Sequence, residues 1–270
     1  MAVHRNHQAG FSIISLMIAS AIGIFLIGGA AKVYVDSKNS FTVRSSFAAA
    51  TENYRFAFQD MRRVLVMAGR SILPSNDDMT SYSTSDNGLR TFPGLGADGI
   101  LDADANGSSR VAVRYASGPA PCGMAGTLGG DVVDTITAMF YVDADKNLVC
   151  EVPEENYSQP LVSGIERMRA LYGVDTDGDG VANQYLTASL VDSSALWVNV
   201  VAIRIGIVTS PGDDRELPYN YRPSSPTPMD VLGDTFTPTD TEIPYKAANV
   251  TIQFRNLHQA INRQNANLGA

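Results

Sequence analysis

Three aspartates at alternate positions form the sharpest polar motif of this sequence. Asp175, Asp177 and Asp179 match positions 1, 3 and 5 of a calcium-binding loop, and a glycine follows at position 6, where such loops turn sharply. Asn183 falls at position 9, where a side chain binds the ion directly or through water. Position 12 is Leu186 rather than a bidentate Glu, so the stretch is not an EF-hand. The three aspartates and Asn183 are the candidate calcium ligands.

Two interpretations of this acidic loop stay open at the sequence level. Carboxylates placed this close together repel one another unless water or a cation neutralises them. A bound calcium ion would neutralise them, but an exposed turn would also suffice, because Asp and Gly are both favoured in turns. No zinc spacing and no phosphate-binding glycine loop occurs, so calcium is the one cofactor that the sequence suggests.

The sequence offers little for catalysis. His258 is the only histidine after residue 10, and the two cysteines lack the C-x-x-C spacing of a redox or metal-binding pair. We find no nucleophile, base and orienting group that could act together. The formal net charge of −8 argues against direct nucleic-acid binding. We therefore predict that the protein is not an enzyme.

A long apolar run lies near the N-terminus, and its location determines where the rest of the chain lies. No Asp, Glu, Lys or Arg occurs between Arg5 and Lys32. As a helix, the run Phe11–Ala31 would span roughly 31 Å, about one hydrocarbon core. A secretory signal peptide would be shorter and would end in a break, and no proline follows until Pro74. An ordinary single-pass anchor and a processed leader both remain possible explanations.

The residues around Gly10 and Phe11 resemble the processing site of type IV pilins and their secretion-system relatives. In that family a membrane peptidase cuts after the glycine and methylates the new N-terminal Phe. Within the family the chain is most similar to minor pilins of the PilW type, through short stretches along nearly its whole length. Examples of these stretches are Lys38–Phe41, Glu52–Phe56 and Met67–Gly69.

Ser15 departs from the family pattern. Pilins usually carry Glu at the fifth mature residue, where it is thought to pair with the terminal amine of a neighbouring subunit. A Glu at bilayer depth costs roughly 2.5–3.5 kcal/mol and is kept only for function. Ser15 cannot supply that charge. The resemblance therefore leaves two explanations, which are drift in a subunit used in few copies and a place at the filament tip or in the initiation complex.

The resemblance implies an α+β fold of the type IV pilin kind, in which a long N-terminal helix packs on an antiparallel β-sheet head domain. We expect a leader over 1–10, a membrane and filament-core helix over 11–31, its amphipathic continuation over 32–69, and a β-rich head over 70–270. Gly69 is the expected end of a helix that reaches about Ala68. The stripe expected to dock this helix on the sheet is Phe47, Thr51, Tyr54, Phe58, Met61, Leu65 and Ala68.

Several strands are predicted from alternating or β-branched runs in the head. The expected strands are Arg110–Tyr115, Thr135–Val142, Leu148–Glu151, Leu161–Val174, Trp197–Val208 and Asn249–Arg255. The second and third of these runs should form a hairpin. The proline-rich stretch 210–244 is expected to be a long surface excursion.

Cys122 and Cys150 both follow the apolar run, and Arg5 before it predicts a cytoplasmic N-terminus. The head would then lie in the oxidising periplasm, where the two cysteines should form a disulfide. Closing a loop of about 29 residues stabilises a fold by roughly 3–4 kcal/mol. A metal or redox pair is the alternative.

The expected function is that of a minor pilin in pilus assembly or initiation, at or near the tip. Its expected partners are other minor and major pilins, the prepilin peptidase, the inner-membrane assembly platform and the inner membrane itself. From the membrane it would pass into the pilus at the cell surface. The alternatives are a minor pseudopilin of a type II secretion system and a membrane-tethered periplasmic domain that binds a ligand.

Overall fold

The computed structural model describes residues 12–70, 107–129, 136–212 and 215–256. The chain divides into two compact units, Met1–Ser45 and Ser46–Ala270. The expected cleavage site at Gly10 and Phe11 lies outside the described residues and stays a prediction.

The first element is helix α1, Ile13–Leu65, which is 53 residues long and belongs to both units. It contains no proline, and turn structure follows it as far as Arg70. The helix ends three residues before the predicted Ala68. Gly69 has φ +74°, the left-handed conformation expected of a residue that ends a helix. The Asn256 side chain closes this end by donating hydrogen bonds to the carbonyl oxygens of Val66 and Ala68, at 3.2 and 3.0 Å.

Twelve strands follow in the described part of the chain, and all their pairs are antiparallel. The first sheet has the order β1-β4-β5-β6, with the strands Val111–Tyr115, Ile136–Val142, Asn147–Val152 and Tyr157–Ser163. The second sheet has the order β12-β9-β7-β8, with the strands Lys246–Gln253, Val200–Thr209, Ile165–Val174 and Gln184–Leu186. Two small hairpins are formed by β2 and β3, Ser117–Pro119 and Thr127–Gly129, and by β10 and β11, Met229–Val231 and Asp234–Phe236. The long helix and the antiparallel sheets give the α+β class predicted.

The run Leu161–Val174 is two strands rather than the single strand predicted. The chain leaves β6 at Ser163 and enters β7 at Ile165, and these strands belong to different sheets. Gly164 lies between them with φ +75°, which an L side chain adopts only under strain. The glycine therefore lets the chain pass from one sheet to the other in a single residue.

A short helix precedes the central strand of the second sheet. Helix α2, Ala188–Ser193, begins at Thr187, whose side chain accepts a hydrogen bond from the backbone N–H of Leu190. Trp197, where the strand was predicted to begin, lies instead in a short 3-10 turn and is buried. Its indole N–H donates to Asp192 at 2.9 Å, and its ring packs edge-on against Tyr172.

Part of the proline-rich stretch packs on the second sheet at Gly206. It contains the β10–β11 hairpin, which approaches the sheet at Gly206 in β9. A Cβ atom on Gly206 would lie 2.8 Å from Val231 and 2.9 Å from Leu232. The glycine is therefore required for this close approach, and β9 is buried along nearly its whole length.

The predicted docking stripe is confirmed at Met61, Leu65 and Ala68, which are fully buried, but the buried face of α1 differs from it nearer the N-terminus. Phe47 is 43% exposed, and the buried residues of the helix are Ser46, Ala50, Ala57, Met61, Val64 and Leu65. Small side chains at the N-terminal part of this face let the helix backbone approach the sheet. The hydroxyl of Thr209 in β9 donates to the carbonyl oxygen of Ala50 at 2.8 Å. Tyr54 and Phe58 of the predicted stripe pack against the core and are only partly buried.

Candidate functional site

The first half of α1 carries the apolar surface on which the sequence interpretation depends. Its large side chains are exposed, with Ile13 at 76% and Phe25 at 81% of their full area. By length and composition, α1 is the described helix that could cross a membrane. Exposed apolar surface of this extent marks a contact with lipid or with protein. Its charge-free sequence agrees with either environment.

Ser15 lies in this apolar segment and is exposed on α1. Its neighbours Ile14 and Leu16 are 69% and 67% exposed, so Ser15 is set in an apolar surface. A serine there adds no charge to that surface. The helix therefore has no carboxylate at the position where the family usually places one.

Cys122 and Cys150 form the predicted disulfide, with their sulfur atoms bonded. Cys150 lies in β5, and Cys122 lies in the turn that joins β2 to β3. Both residues are buried. The bond ties this turn to the first sheet across 28 positions of sequence.

The acidic loop that connects β7 to β8 brings its three aspartates together. Oxygen atoms of Asp175, Asp177 and Asp179 all lie within 4.8 Å of one another. Asp175 is buried, while the other two are exposed. Carboxylate oxygens at this spacing are ligands that a calcium ion prefers. The donor set therefore fits the predicted cation, and the expectation of calcium stays a prediction.

Asp175 also organises the loop through the backbone. One of its oxygens accepts from the N–H groups of Asp177 and Gly178 at 3.2 and 2.7 Å, and the other accepts from Gly180 at 2.6 Å. Burial opposes the ionisation of this carboxyl, but these donors outweigh it and hold the pKa of Asp175 below its ordinary value of 3.8. The native loop therefore favours the charged form.

Asn183 lies on the other side of the same loop. Its side-chain oxygen accepts from the backbone N–H and the hydroxyl of Thr176, at 3.2 and 3.1 Å. Its backbone N–H donates to Val174 at 3.1 Å and so fixes the base of the loop. Asn183 thus holds the loop closed. If it also bound a calcium ion, it would do so through a side-chain oxygen that already accepts two hydrogen bonds.

The sequence interpretation missed the polar contacts that hold α1 on the second sheet. Asn53 donates through its side chain to the carbonyl oxygen of Ser210 at 2.8 Å, and Thr209 donates to Ala50. The partners are 157 and 159 positions apart. No local pattern could have indicated them, because a polar residue on an amphipathic helix is ordinarily assigned to the solvated face.

Two comparisons with known proteins found similarities. Residues 139–256 match the family model PilW, type IV pilus-assembly protein W. A type IV-like pilin from Thermus thermophilus is similar in structure at 11% identity, with a TM-score of 0.42, over 77% of this chain and 97% of that one. That likeness is too distant to bear on function. No curated protein matches the sequence.

The matched region begins in β4 and includes the whole second sheet. It contains the acidic loop and one of the two bonded cysteines, but it does not include α1. The long apolar helix is thus an independent feature that agrees with the match. The PilW match over residues 139–256 and the long N-terminal helix followed by antiparallel sheets support a type IV pilin-like family for this chain.

Proposed function

We propose that this chain is a minor pilin that acts in the initiation of a type IV pilus, at or near its tip. The PilW match supports a type IV pilus minor pilin, a structural subunit rather than an enzyme. The observation that carries the finer proposal is the uncharged, exposed Ser15 in the apolar segment of α1. Arg5 and the disulfide support the proposed membrane orientation and the proposed compartment of the head.

The chemistry at Ser15 separates a tip subunit from a shaft subunit. In the resembling family, the acid at this position pairs with the terminal amine of a neighbouring subunit. A subunit that starts a filament need not make that contact, so it avoids the cost of a carboxylate at bilayer depth. Ser15 is what such a subunit would carry.

The proposed route begins in the inner membrane, with a cytoplasmic N-terminus and a periplasmic head. Arg5 ahead of the apolar run supports this orientation. The bonded Cys122 and Cys150 support an oxidising compartment for the head. After cleavage between Gly10 and Phe11 by the prepilin peptidase, the subunit would join other minor and major pilins at the assembly platform and enter the pilus.

A deletion strain tests the initiation role. Loss of the gene should lower the number of filaments per cell far more than their length, because nucleation fails while elongation does not. Electron microscopy of sheared and cell-bound pili measures both quantities. Normal numbers of shortened filaments would contradict the proposal.

The variant Ser15→Glu tests the position in the filament. We expect no gain in piliation, and a loss where the new acid stays unpaired, because burying it costs a few kcal/mol. Ser20→Glu is the matched control, since Ser20 is also an exposed serine of the apolar segment but lies elsewhere on it. If Ser15→Glu alone increases incorporation along the shaft, the tip assignment is wrong.

The same strains separate the two alternatives. A minor pseudopilin of a type II secretion system would leave pilus number unchanged and reduce the secretion of exported enzymes. A membrane-tethered periplasmic domain would change neither, and its N-terminus would stay uncut in the presence of an active peptidase.

A further inference from the structure

The part of α1 in the second unit is held on the sheets by two different kinds of contact. Between Ala57 and Leu65, the buried side chains of the helix are all apolar, and Met61 and Leu65 are fully buried. One to two turns earlier, near the boundary of the unit at Ser46, the contacts with the second sheet are polar. The docked helix therefore has a polar end and an apolar middle.

Three hydrogen bonds make up the polar end, which we call the helix latch. They run from the Thr209 hydroxyl to the Ala50 carbonyl oxygen at 2.8 Å, from the Asn53 side-chain amide to the Ser210 carbonyl oxygen at 2.8 Å, and from the Lys246 ammonium to the Thr51 hydroxyl at 3.0 Å. The Lys246 ammonium also lies 5.4 Å from the centre of the Tyr54 ring.

The strands that carry the latch converge at one place. Thr209 ends β9, Lys246 begins β12, and the two are paired residues of the second sheet. Ser210 follows directly, and its backbone N–H donates to the carbonyl oxygen of Gly164 at 2.8 Å. The latch therefore joins one stretch of helix to the shared end of two strands.

The missing side chain of Gly164 matters for the helix latch as well as for the passage of the chain between the sheets. A Cβ atom at this position would lie 2.5 Å from the Ser210 carbonyl oxygen and 3.0 Å from the Asn53 amide nitrogen. Its absence leaves room for the Asn53–Ser210 hydrogen bond. A larger residue would push these two groups apart.

We infer that the helix leaves the sheet in two steps, and that the helix latch is the first to open. Water can replace each of its hydrogen bonds, whereas the apolar contacts beyond Ala57 have no such substitute. Polar bonds also require correct geometry, so a pull on α1 from its N-terminal side is resisted first at Ala50–Tyr54. The latch thus protects the apolar contacts from peeling, whatever assembly the chain joins.

Hydrogen exchange of the full chain in detergent micelles, followed by mass spectrometry, tests the inference. Asn53→Ala and Thr209→Val each remove one latch bond. Each should speed exchange of the amides in residues 47–54 by about threefold to tenfold, the factor that the net value of one hydrogen bond allows. Exchange in residues 57–65 should stay within about twofold of the wild type.

Trp197→Phe is the matched control, because it removes a hydrogen bond to Asp192 that lies outside the latch. It should leave exchange in residues 47–54 unchanged. If Asn53→Ala does not fold, Lys246→Met gives the same test while keeping an alkyl chain against Tyr54. Equal acceleration across 47–65, or no acceleration in 47–54, would overturn the two-step account.

Discussion

Replacing Asp175 by Asn should destabilise the head through the acidic loop, whether or not calcium binds there. The carboxylate accepts hydrogen bonds from three backbone N–H groups, and two of these donate to the same oxygen. The side-chain oxygen of the asparagine can still accept hydrogen bonds from the backbone N–H groups of Asp177 and Gly178. Its NH₂ group then faces the N–H of Gly180, where two donors meet and no bond forms.

The expected loss follows from that one position. A hydrogen bond to a charged group contributes roughly 1.5–3 kcal/mol, and the Gly180 N–H would be left without its acceptor. Asp175→Asn should therefore lower the free energy of unfolding by about 2–3 kcal/mol at neutral pH. Asp179→Asn is the matched control, because Asp179 is exposed and accepts one bond, from Val181, which an amide oxygen can also accept. It should cost less than about 0.5 kcal/mol.

Urea unfolding of the full chain in micelles, with chelator present, measures both values. The single tryptophan, Trp197, is buried in the second sheet's core and provides the fluorescence signal. A loss for Asp175→Asn no larger than that for Asp179→Asn would refute the role given to the Asp175 carboxylate.

The pH dependence gives a second check with a defined sign. The pKa of Asp175 is lower in the native state than its ordinary value of 3.8. The stabilisation is therefore complete above the ordinary value and is lost as the pH falls through the lower native value. The difference between wild type and Asp175→Asn should shrink below about pH 4. A difference that stays constant to the acid limit of folding would contradict the assignment.

Three further predictions concern the acidic loop, the disulfide and the docking of α1. Calcium should raise the urea midpoint of the wild type, and it should raise the midpoint of Asp177→Asn less. If calcium does not shift the midpoint of the wild type, the loop is a turn that binds no calcium. Non-reducing mass spectrometry should find Cys122 linked to Cys150, and two free thiols in periplasmic protein would contradict the bond. Replacing both cysteines by Ser should lower the free energy of unfolding by roughly 3 kcal/mol. Met61→Ala should cost about 2–5 kcal/mol as a buried truncation, and Phe56→Ala, at a 54% exposed position, far less; equal losses would show that the docking face of α1 is wrong.

Local signals made much of this fold predictable. The charge-free run and the absence of proline predicted a continuous helix, and β-branched alternation predicted β1, β4, β5, β9 and β12 within a few residues. A short turn between two alternating runs gave the β4–β5 hairpin. The three aspartates at alternate positions predicted a common loop, because their spacing forces them together.

The features that were missed depend on contacts between distant parts of the chain. The rotation of α1 on the sheet is set by the close approach of Ala50 to Thr209, which no helical periodicity reveals. The strand break at Gly164 had a local signal in Ser163 and Gly164, but the strand-like residues on both sides of it favoured one continuous strand. The cover that the proline-rich excursion provides over Gly206 depends on the β10–β11 hairpin, whose strands are too short to give a signal.

Processing of the N-terminus tests the central claim most directly. The chain is coexpressed with an active prepilin peptidase and its intact mass and N-terminal peptide are measured, with a known pilin precursor as the control substrate. We predict a chain that lacks its first ten residues and begins with N-methylated Phe11. A chain that keeps Met1 while the control is cleaved would contradict the pilin account.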